Sequence, residues 1–139
     1  MHQKISGALF LRLGNFLRGE TCQIYSAPFD LRFPKNSNED DEIQDEVQPD
    51  SCVICDPDKL DDRGCIGASG LIVEILSPGN SKTELKHKFE LYESNGVWEY
   101  WIIHAETQDL LIYILTRGKF IPGNVLFGKF KSIKKTDYL

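Results

Sequence analysis

The spacing of apolar residues predicts a helix at the start of the chain, over residues 2–18. Apolar side chains recur there every three or four positions, for example at Ile5, Leu9 and Leu13, which places them on one helix face. Gly19 follows and is typical of a residue that ends a helix. The pattern therefore indicates an amphipathic helix that packs on a core.

A second helix is predicted from Ser81 to about Ser94. Ser81 and Glu84 have the S-x-x-E spacing of a capping box, in which the side chains satisfy free backbone amides at a helix start. Asn95-Gly96 is typical of a helix end, because glycine readily adopts the left-handed conformation found there.

Shorter apolar runs between turn residues predict strands over residues 21–26, 29–33, 51–55, 70–77, 98–104, 110–115, 119–121 and 125–130. The run at 70–77 is apolar on both faces apart from Glu74, as expected of a central, covered strand. Residues 56–69 are predicted to form an irregular loop. Helix, strands, helix and strands in this order predict an α/β (mixed α+β) fold, with helices flanking a mixed central sheet.

Composition fits one domain over residues 1–139, with 41% hydrophobic and 27% charged residues. The longest apolar stretch, residues 110–115, is far below the roughly 20 residues that a membrane span needs. The N-terminus carries no small-residue cleavage site of the kind that ends a signal peptide. We therefore expect a cytoplasmic protein that has no membrane partner.

The net charge of −5 is unevenly distributed, which weakens its argument against a nucleic-acid partner. Residues 36–62 contain 11 acidic residues and one lysine, a net charge of −10. The rest of the chain has 10 acidic residues and 15 lysines or arginines, a net charge of +5. Residues 36–48 are predicted to be a solvated acidic loop, and residues 131–139 a basic tail.

Four cysteines suggest two different interpretations. Cys52 and Cys55 have C-x-x-C spacing, which zinc sites and redox pairs use; Cys22 and Cys65 could join them. However, residues 51–55 read as a strand, on which residues three apart face opposite sides. Free, reduced core cysteines are therefore the favoured interpretation, with a zinc or redox protein as the alternative.

Glu74 and Asp50 are candidate metal ligands. A carboxylate in the middle of a covered strand loses water, and burying it unpaired costs several kcal/mol, so Glu74 needs a partner such as a divalent cation. Asp50 precedes the strand at 51–55, and the two carboxylates converge if these strands are neighbours. Carboxylate oxygens suit Mg²⁺. The alternatives are a structural ion pair or a position at the strand's exposed end for Glu74, and a turn residue for Asp50.

Lys88 is the third candidate, on the second predicted helix. Leu85, Phe89 and Tyr92 form the core-facing stripe, and Lys88 lies at its edge, from where its amino group can reach the sheet. Two acids and a lysine around Mg²⁺ are suited to hydrolysing a phosphodiester. The alternative is a surface pair between Lys88 and Glu84.

These residues belong to motifs that resemble the Uma2 family, also called DUF820, of the PD-(D/E)xK restriction-endonuclease-like superfamily. The motifs are Val47-Gln48-Pro49-Asp50, Gly70-Leu71-Ile72-Val73-Glu74-Ile75-Leu76-Ser77-Pro78 and Lys88-x3-Tyr92-x3-Gly96-Val97-x-Glu99-Tyr100-Trp101. The resemblance implies a restriction-endonuclease-like core, Asp50 and Glu74 as ligands for Mg²⁺ or Mn²⁺, and Lys88 as the catalytic lysine. Leu76 stands where the superfamily usually has that lysine.

The resemblance implies a Mg²⁺-dependent endonuclease that acts on DNA, with homodimerisation as one option. The chain differs from the family in four ways. It starts after a segment that usually precedes the first long helix, His104 replaces a usual aspartate, Glu84 replaces another, and its C-terminal end is basic. The alternative is therefore a truncated, catalytically inactive nuclease-fold protein that acts as a binding or scaffolding module.

Overall fold

The computed structural model describes residues 2–34, 43–68 and 70–123 of the 139-residue chain. The two helices are α1 (His2–Phe16) and α2 (Lys82–Ser94). A short 3₁₀ helix spans Pro57–Lys59. The strands are β1 (Gln23–Ser26), β2 (Asp30–Pro34), β3 (Ile43–Val47), β4 (Ser51–Ile54), β5 (Gly64–Ile66), β6 (Leu71–Leu76), β7 (Glu99–His104), β8 (Asp109–Thr116) and β9 (Lys119–Pro122).

Within these residues, six strands form the main sheet, in the order β1-β4-β6-β7-β8-β9. Strands β6 and β7 pair in parallel, and the other neighbours pair antiparallel. A smaller sheet has the order β3-β2-β5. The predicted mixed α+β fold, with a mixed sheet and flanking helices, is confirmed.

Helix α2 is the crossover between the parallel strands β6 and β7, which cannot be joined by a tight turn. Its predicted N-terminal cap is confirmed, because Ser81 Oγ accepts a hydrogen bond from the Glu84 amide at 3.1 Å. Its predicted end is also confirmed, since Gly96 has a positive φ of 80°. The crossover carries the helix over the face of the sheet to which Glu74 points.

The sheet separates two apolar clusters, because side chains alternate between its faces along each strand. On one side, Leu9 and Leu13 of α1 belong to the same cluster as Val73 and Trp101. On the other side, three groups of residues share a second cluster: Leu91 and Tyr92 of α2, Ile72 and Tyr100 of the main sheet, and Leu31 and Phe33 of the small sheet. Glu74 follows Ile72 by two residues and therefore faces this second cluster.

Two predicted loops contain strands. Residues 43–47, in the predicted acidic loop 36–48, form β3, and residues 64–66, in the predicted irregular loop, form β5. Both pair with β2, whose backbone satisfies their hydrogen bonds, and Arg63 Nη2 lies 3.1 Å from Glu46 Oε1. The prediction was wrong here because it rested on charge for the acidic segment and on Pro57 and two glycines for residues 56–69, and neither feature reports pairing with β2. The strand predicted over 125–130 and the basic tail 131–139 lie outside the described residues.

The expectation of four free cysteines is wrong for two of them. Cys22 and Cys55 form a disulfide, because antiparallel pairing of Gln23 with Ile54 brings the residues just outside β1 and β4 together. Cys52 and Cys65 are free and buried. Burial raises the pKa of Cys52 to about 12 and that of Cys65 to about 11, so both thiols keep their protons.

Neither helix in the described part of the chain has both the length and the apolar character needed to cross a membrane.

Candidate active site

The structure brings Asp50 and Glu74 together. Strands β4 and β6 are antiparallel neighbours, with Ser51 opposite Val73, so Asp50 lies beside Glu74 at the start of β4. The Asp50 amide donates a hydrogen bond to Glu74 Oε1 at 3.3 Å. In return, Asp50 Oδ2 accepts one from the Ile75 amide at 2.7 Å. The two acids therefore fix each other's position through the backbone.

Glu74 is almost completely buried, with 4% of its surface exposed. Its Oε2 atom has two partners on α2. Lys88 Nζ lies 2.8 Å away, and the Tyr92 hydroxyl donates a hydrogen bond at 3.2 Å. Lys88, the third predicted site residue, therefore contacts Glu74 and lies beside the two acids.

Helix geometry explains why Lys88 and Tyr92 reach Glu74 together. They are four residues apart on α2 and therefore lie on one face, about one turn from each other. Lys88 Nζ also lies 3.8 Å from Glu84 Oε1, so the alternative surface pair exists beside the buried one. Glu74 is the closer partner and is far less exposed than Glu84.

Burial dominates the electrostatics of Glu74. Loss of water raises its pKa above the usual range, and the charge of Asp50 adds to this, although Lys88 opposes both effects. A simple ion pair would instead lower the pKa of the acid. Burial alone would lower the pKa of Lys88, but its hydrogen bond to Glu74 and that carboxylate's charge raise it overall. Lys88 therefore remains a cation at neutral pH.

Sequence reasoning missed His2 and assigned no more than packing to Tyr92. His2 Nε2, in the first turn of α1, lies 3.1 Å from Asp50 Oδ1. No sequence pattern indicates this contact, because it depends on how α1 packs on the sheet. Tyr92 carried a usable indication, since it lies four residues after Lys88 and must share its face.

The donor set fits a hard divalent cation. Asp50 and Glu74 offer oxygens only, and Mg²⁺ in proteins is commonly held by one or two carboxylates, waters and substrate phosphates. Among the described residues, no three His, Cys, Asp or Glu side chains are grouped closely enough to enclose an ion by themselves. Water and substrate would therefore have to complete the coordination of an ion bound here.

Comparison with known proteins identifies the family. The model of the Uma2 family, described as "Putative restriction endonuclease", matches residues 1–131. The chain belongs to the Uma2 family. A search of curated proteins returned no match to this Uma2 chain.

A solved structure similar to this Uma2 protein is that of "a putative nuclease belonging to DUF820" from Anabaena variabilis, with a TM-score of 0.64 and 16% sequence identity. The alignment covers 91% of this chain and 65% of the other, so this chain spans less than two thirds of the length of that protein. At this identity the likeness establishes the fold. The chain therefore belongs to a family described as a putative restriction endonuclease and shares the fold of this structure.

Proposed function

We propose that this Uma2 protein is a Mg²⁺-dependent endonuclease that hydrolyses phosphodiester bonds in DNA. The observation that carries the proposal is the arrangement around Glu74, a buried carboxylate that adjoins Asp50 and lies 2.8 Å from Lys88 Nζ. Perturbed carboxylates next to a cation are typical of catalytic sites. Membership of Uma2 supports the reaction class.

Asp50 and Glu74 would hold Mg²⁺ or Mn²⁺ in this proposal. When bound, the ion polarises a phosphate oxygen and lowers the pKa of a coordinated water. Asp50 keeps its orientation through the Ile75 amide, and Glu74 keeps its own through Lys88 and Tyr92. The acids are therefore held in place before substrate arrives, which reduces the reorganisation that catalysis requires.

Lys88 contributes a fixed positive charge. Its ammonium group lies beside the carboxylates, and its side chain retains 25% exposure, so a phosphate can approach it. As the phosphorus is attacked, negative charge builds up on the phosphate oxygens, and a preorganised cation stabilises that charge. Lys88 can also orient the attacking water through one of its three donor hydrogens.

The charge distribution supports an anionic polymer as substrate. Outside residues 36–62 the chain carries a net charge of +5, and α2 adds exposed Lys82 and Lys86 close to Lys88 in sequence. Basic groups near a site raise the local concentration of nucleic acid and its rate of association. Two sites related by symmetry would allow both strands to be cut together, so a homodimer is part of the proposal, and sedimentation analysis tests it.

The test is cleavage of supercoiled plasmid by the purified protein with Mg²⁺ or Mn²⁺. We expect nicking that falls at least about 100-fold in Asp50→Asn, Glu74→Ala and Lys88→Met, because each loses a group needed in the transition state. Glu90→Gln and Thr83→Ala are controls, since both residues are exposed on the same helix and neither is a basic group of the proposed DNA-binding surface. Chelator should abolish the activity. A wild type that does not cut, or site variants that cut like the controls, would contradict the proposal.

A second candidate is a non-catalytic binding or scaffolding module. It is favoured by the complete pairing of Glu74, whose two oxygens have protein donors already and could form a purely structural cluster. Calorimetry with Mg²⁺ distinguishes the two functions. Mg²⁺ binding that disappears in Asp50→Asn supports the nuclease. A protein that binds no Mg²⁺ and does not cut DNA, but still binds DNA, supports the module.

A further inference from the structure

We infer that Tyr92 is a positioning residue, whose hydroxyl fixes the orientation of the Glu74 carboxylate. This inference rests on the proposed function, in which Glu74 is a metal ligand. Lys88 has a flexible four-carbon stem and can follow the carboxylate if the latter turns. The hydroxyl of a tyrosine whose ring is tightly packed cannot follow the carboxylate, so it fixes one orientation of Glu74.

The hydrogen bonds assign a separate role to each oxygen. Glu74 Oε2 accepts from Tyr92 and contacts Lys88, while Asp50 Oδ2 accepts from the Ile75 amide. The remaining atoms are Glu74 Oε1, whose amide contact is long at 3.3 Å, and Asp50 Oδ1, whose neighbour is the partly exposed ring of His2 at 3.1 Å. These are the oxygens best able to bind an ion. A partial rotation of the Glu74 carboxylate would move Oε1 away from its position beside Asp50 and disturb this arrangement.

The surroundings of Tyr92 make it a rigid donor. Its side chain has no exposed surface, and its ring packs against Tyr100 at 5.0 Å and Phe33 at 6.2 Å between centroids. Burial, together with the neighbouring charge of Glu74, raises the pKa of Tyr92 above its usual range. The hydroxyl therefore keeps its proton and remains a donor to Glu74.

Tyr100 offers a closely matched control. It is also fully buried in the same aromatic group, and among the described residues its hydroxyl has no hydrogen-bond partner. Replacing either tyrosine by phenylalanine removes one oxygen atom from the same cluster. Tyr92→Phe removes a hydrogen-bond donor to Glu74, whereas Tyr100→Phe does not.

The experiment compares wild type, Tyr92→Phe and Tyr100→Phe by calorimetry with Mn²⁺ and by crystallography without metal. We expect the Kd for Mn²⁺ to rise about 10-fold in Tyr92→Phe, the lower end of the range for losing a partner of a ligand, and to stay unchanged in Tyr100→Phe. In the crystals, the Glu74 carboxylate should turn or occupy two positions in Tyr92→Phe alone. Melting temperatures of all three proteins check that the fold is kept.

Each outcome separates this inference from the proposed function. If wild type binds Mn²⁺ and both variants bind it equally well, or lose affinity equally, Tyr92 acts only in packing and the inference is wrong. If wild type binds no Mn²⁺, the proposed function fails, and the orientation of Glu74 in the Tyr92→Phe crystal decides the inference. An unmoved carboxylate would then overturn it, and a turned one would support it.

Discussion

Glu74 shows how a single residue can organise a site. Among the described residues, the buried charged side chains are Arg32 and Glu74. An isolated buried carboxylate would be strongly destabilising, and Glu74 avoids this cost through contacts with Lys88, Tyr92 and the Asp50 amide. The same contacts leave it adjacent to Asp50, where two acids can bind one cation.

His2 provides a prediction at this scale. Its Nε2 atom lies 3.1 Å from Asp50 Oδ1, whereas Asp50 Oδ2 accepts a hydrogen bond from the Ile75 amide. We expect His2→Ala to lower plasmid nicking about 10-fold, because the ring contacts the acid that would hold the metal. His87→Ala is the control, since His87 is an exposed histidine on α2. Equal activity of the two variants would exclude His2 from the site.

The sequence predicts Glu74 and Asp50 better than it predicts their neighbours. An acid within an apolar run is visible without any structure, and so is an aspartate just before a strand. The His2 contact depends on where α1 lies on the sheet, and the Tyr92 hydrogen bond on the rotation of α2. Local periodicity does not report the first quantity. It does indicate the second, since Tyr92 follows Lys88 by one turn, but Tyr92 was assigned to packing alone.

At the scale of elements, the small sheet depends on a buried arginine. Arg32 on β2 is fully buried, and its guanidinium pairs with Asp61, which follows the 3₁₀ helix and precedes β5. This hydrogen bond to Arg32 holds the pKa of Asp61 below its ordinary value of 3.8. The pair therefore connects β2 to the segment that leads into β5.

The pKa shift of Asp61 predicts a pH-dependent loss of stability. Because the folded-state pKa is lowered, the stabilisation is present above the ordinary value of 3.8 and is lost as pH falls through the lower folded-state value. We expect Asp61→Asn to reduce the free energy of unfolding at pH 7 by about 1 kcal/mol, since solvent screens the partly exposed acid. The difference from wild type should shrink towards pH 3 in urea titrations. The exposed neighbour Asp62→Asn is the control, and a difference that persists at low pH would contradict the assignment.

Prediction of elements succeeded where local patterns determine the structure. Helix α2 has a cap and a glycine end, and β6 is an apolar run interrupted only by Glu74. The tight turn between β8 and β9 is Arg117-Gly118, with positive φ at both residues. Strands β3 and β5 were missed because their stability comes from pairing with β2, which lies at a distance in the sequence. Non-local pairing of this kind is what periodicity fails to report.

At the scale of the whole molecule, the disulfide is the feature that the sequence could not predict. It joins Cys22 and Cys55, which are 33 residues apart, across the edge pair β1 and β4 of the main sheet. The alternation rule placed Cys52 and Cys55 on opposite faces, and the structure agrees, since Cys52 lies in one cluster while Cys55 packs against the other. The partner of Cys55 depends on sheet topology, which the rule does not contain.

Thiol counting tests this covalent link. In denaturant without reductant, we expect two cysteines to react with a thiol reagent, and all four after reduction. Closing a loop of this length contributes about 3–4 kcal/mol in the chain-entropy estimate, so Cys22→Ser/Cys55→Ser should unfold at clearly lower denaturant. Wild type measured in reductant should match that double variant. Four reactive thiols in the unreduced protein would show that the bond is absent.

The way α2 begins has a consequence for how this site can change during evolution. Asn80 Oδ1 accepts the Ser77 amide at 2.9 Å, and Ser81 caps the helix, so the short connection from β6 sets the phase of α2. If the cap stays in place, one residue added or removed between Ser81 and Lys88 would rotate Lys88 and Tyr92 together by about 100°, away from Glu74. The distance along the helix from its cap to the two donors therefore matters to the site as much as the identity of the buried acid.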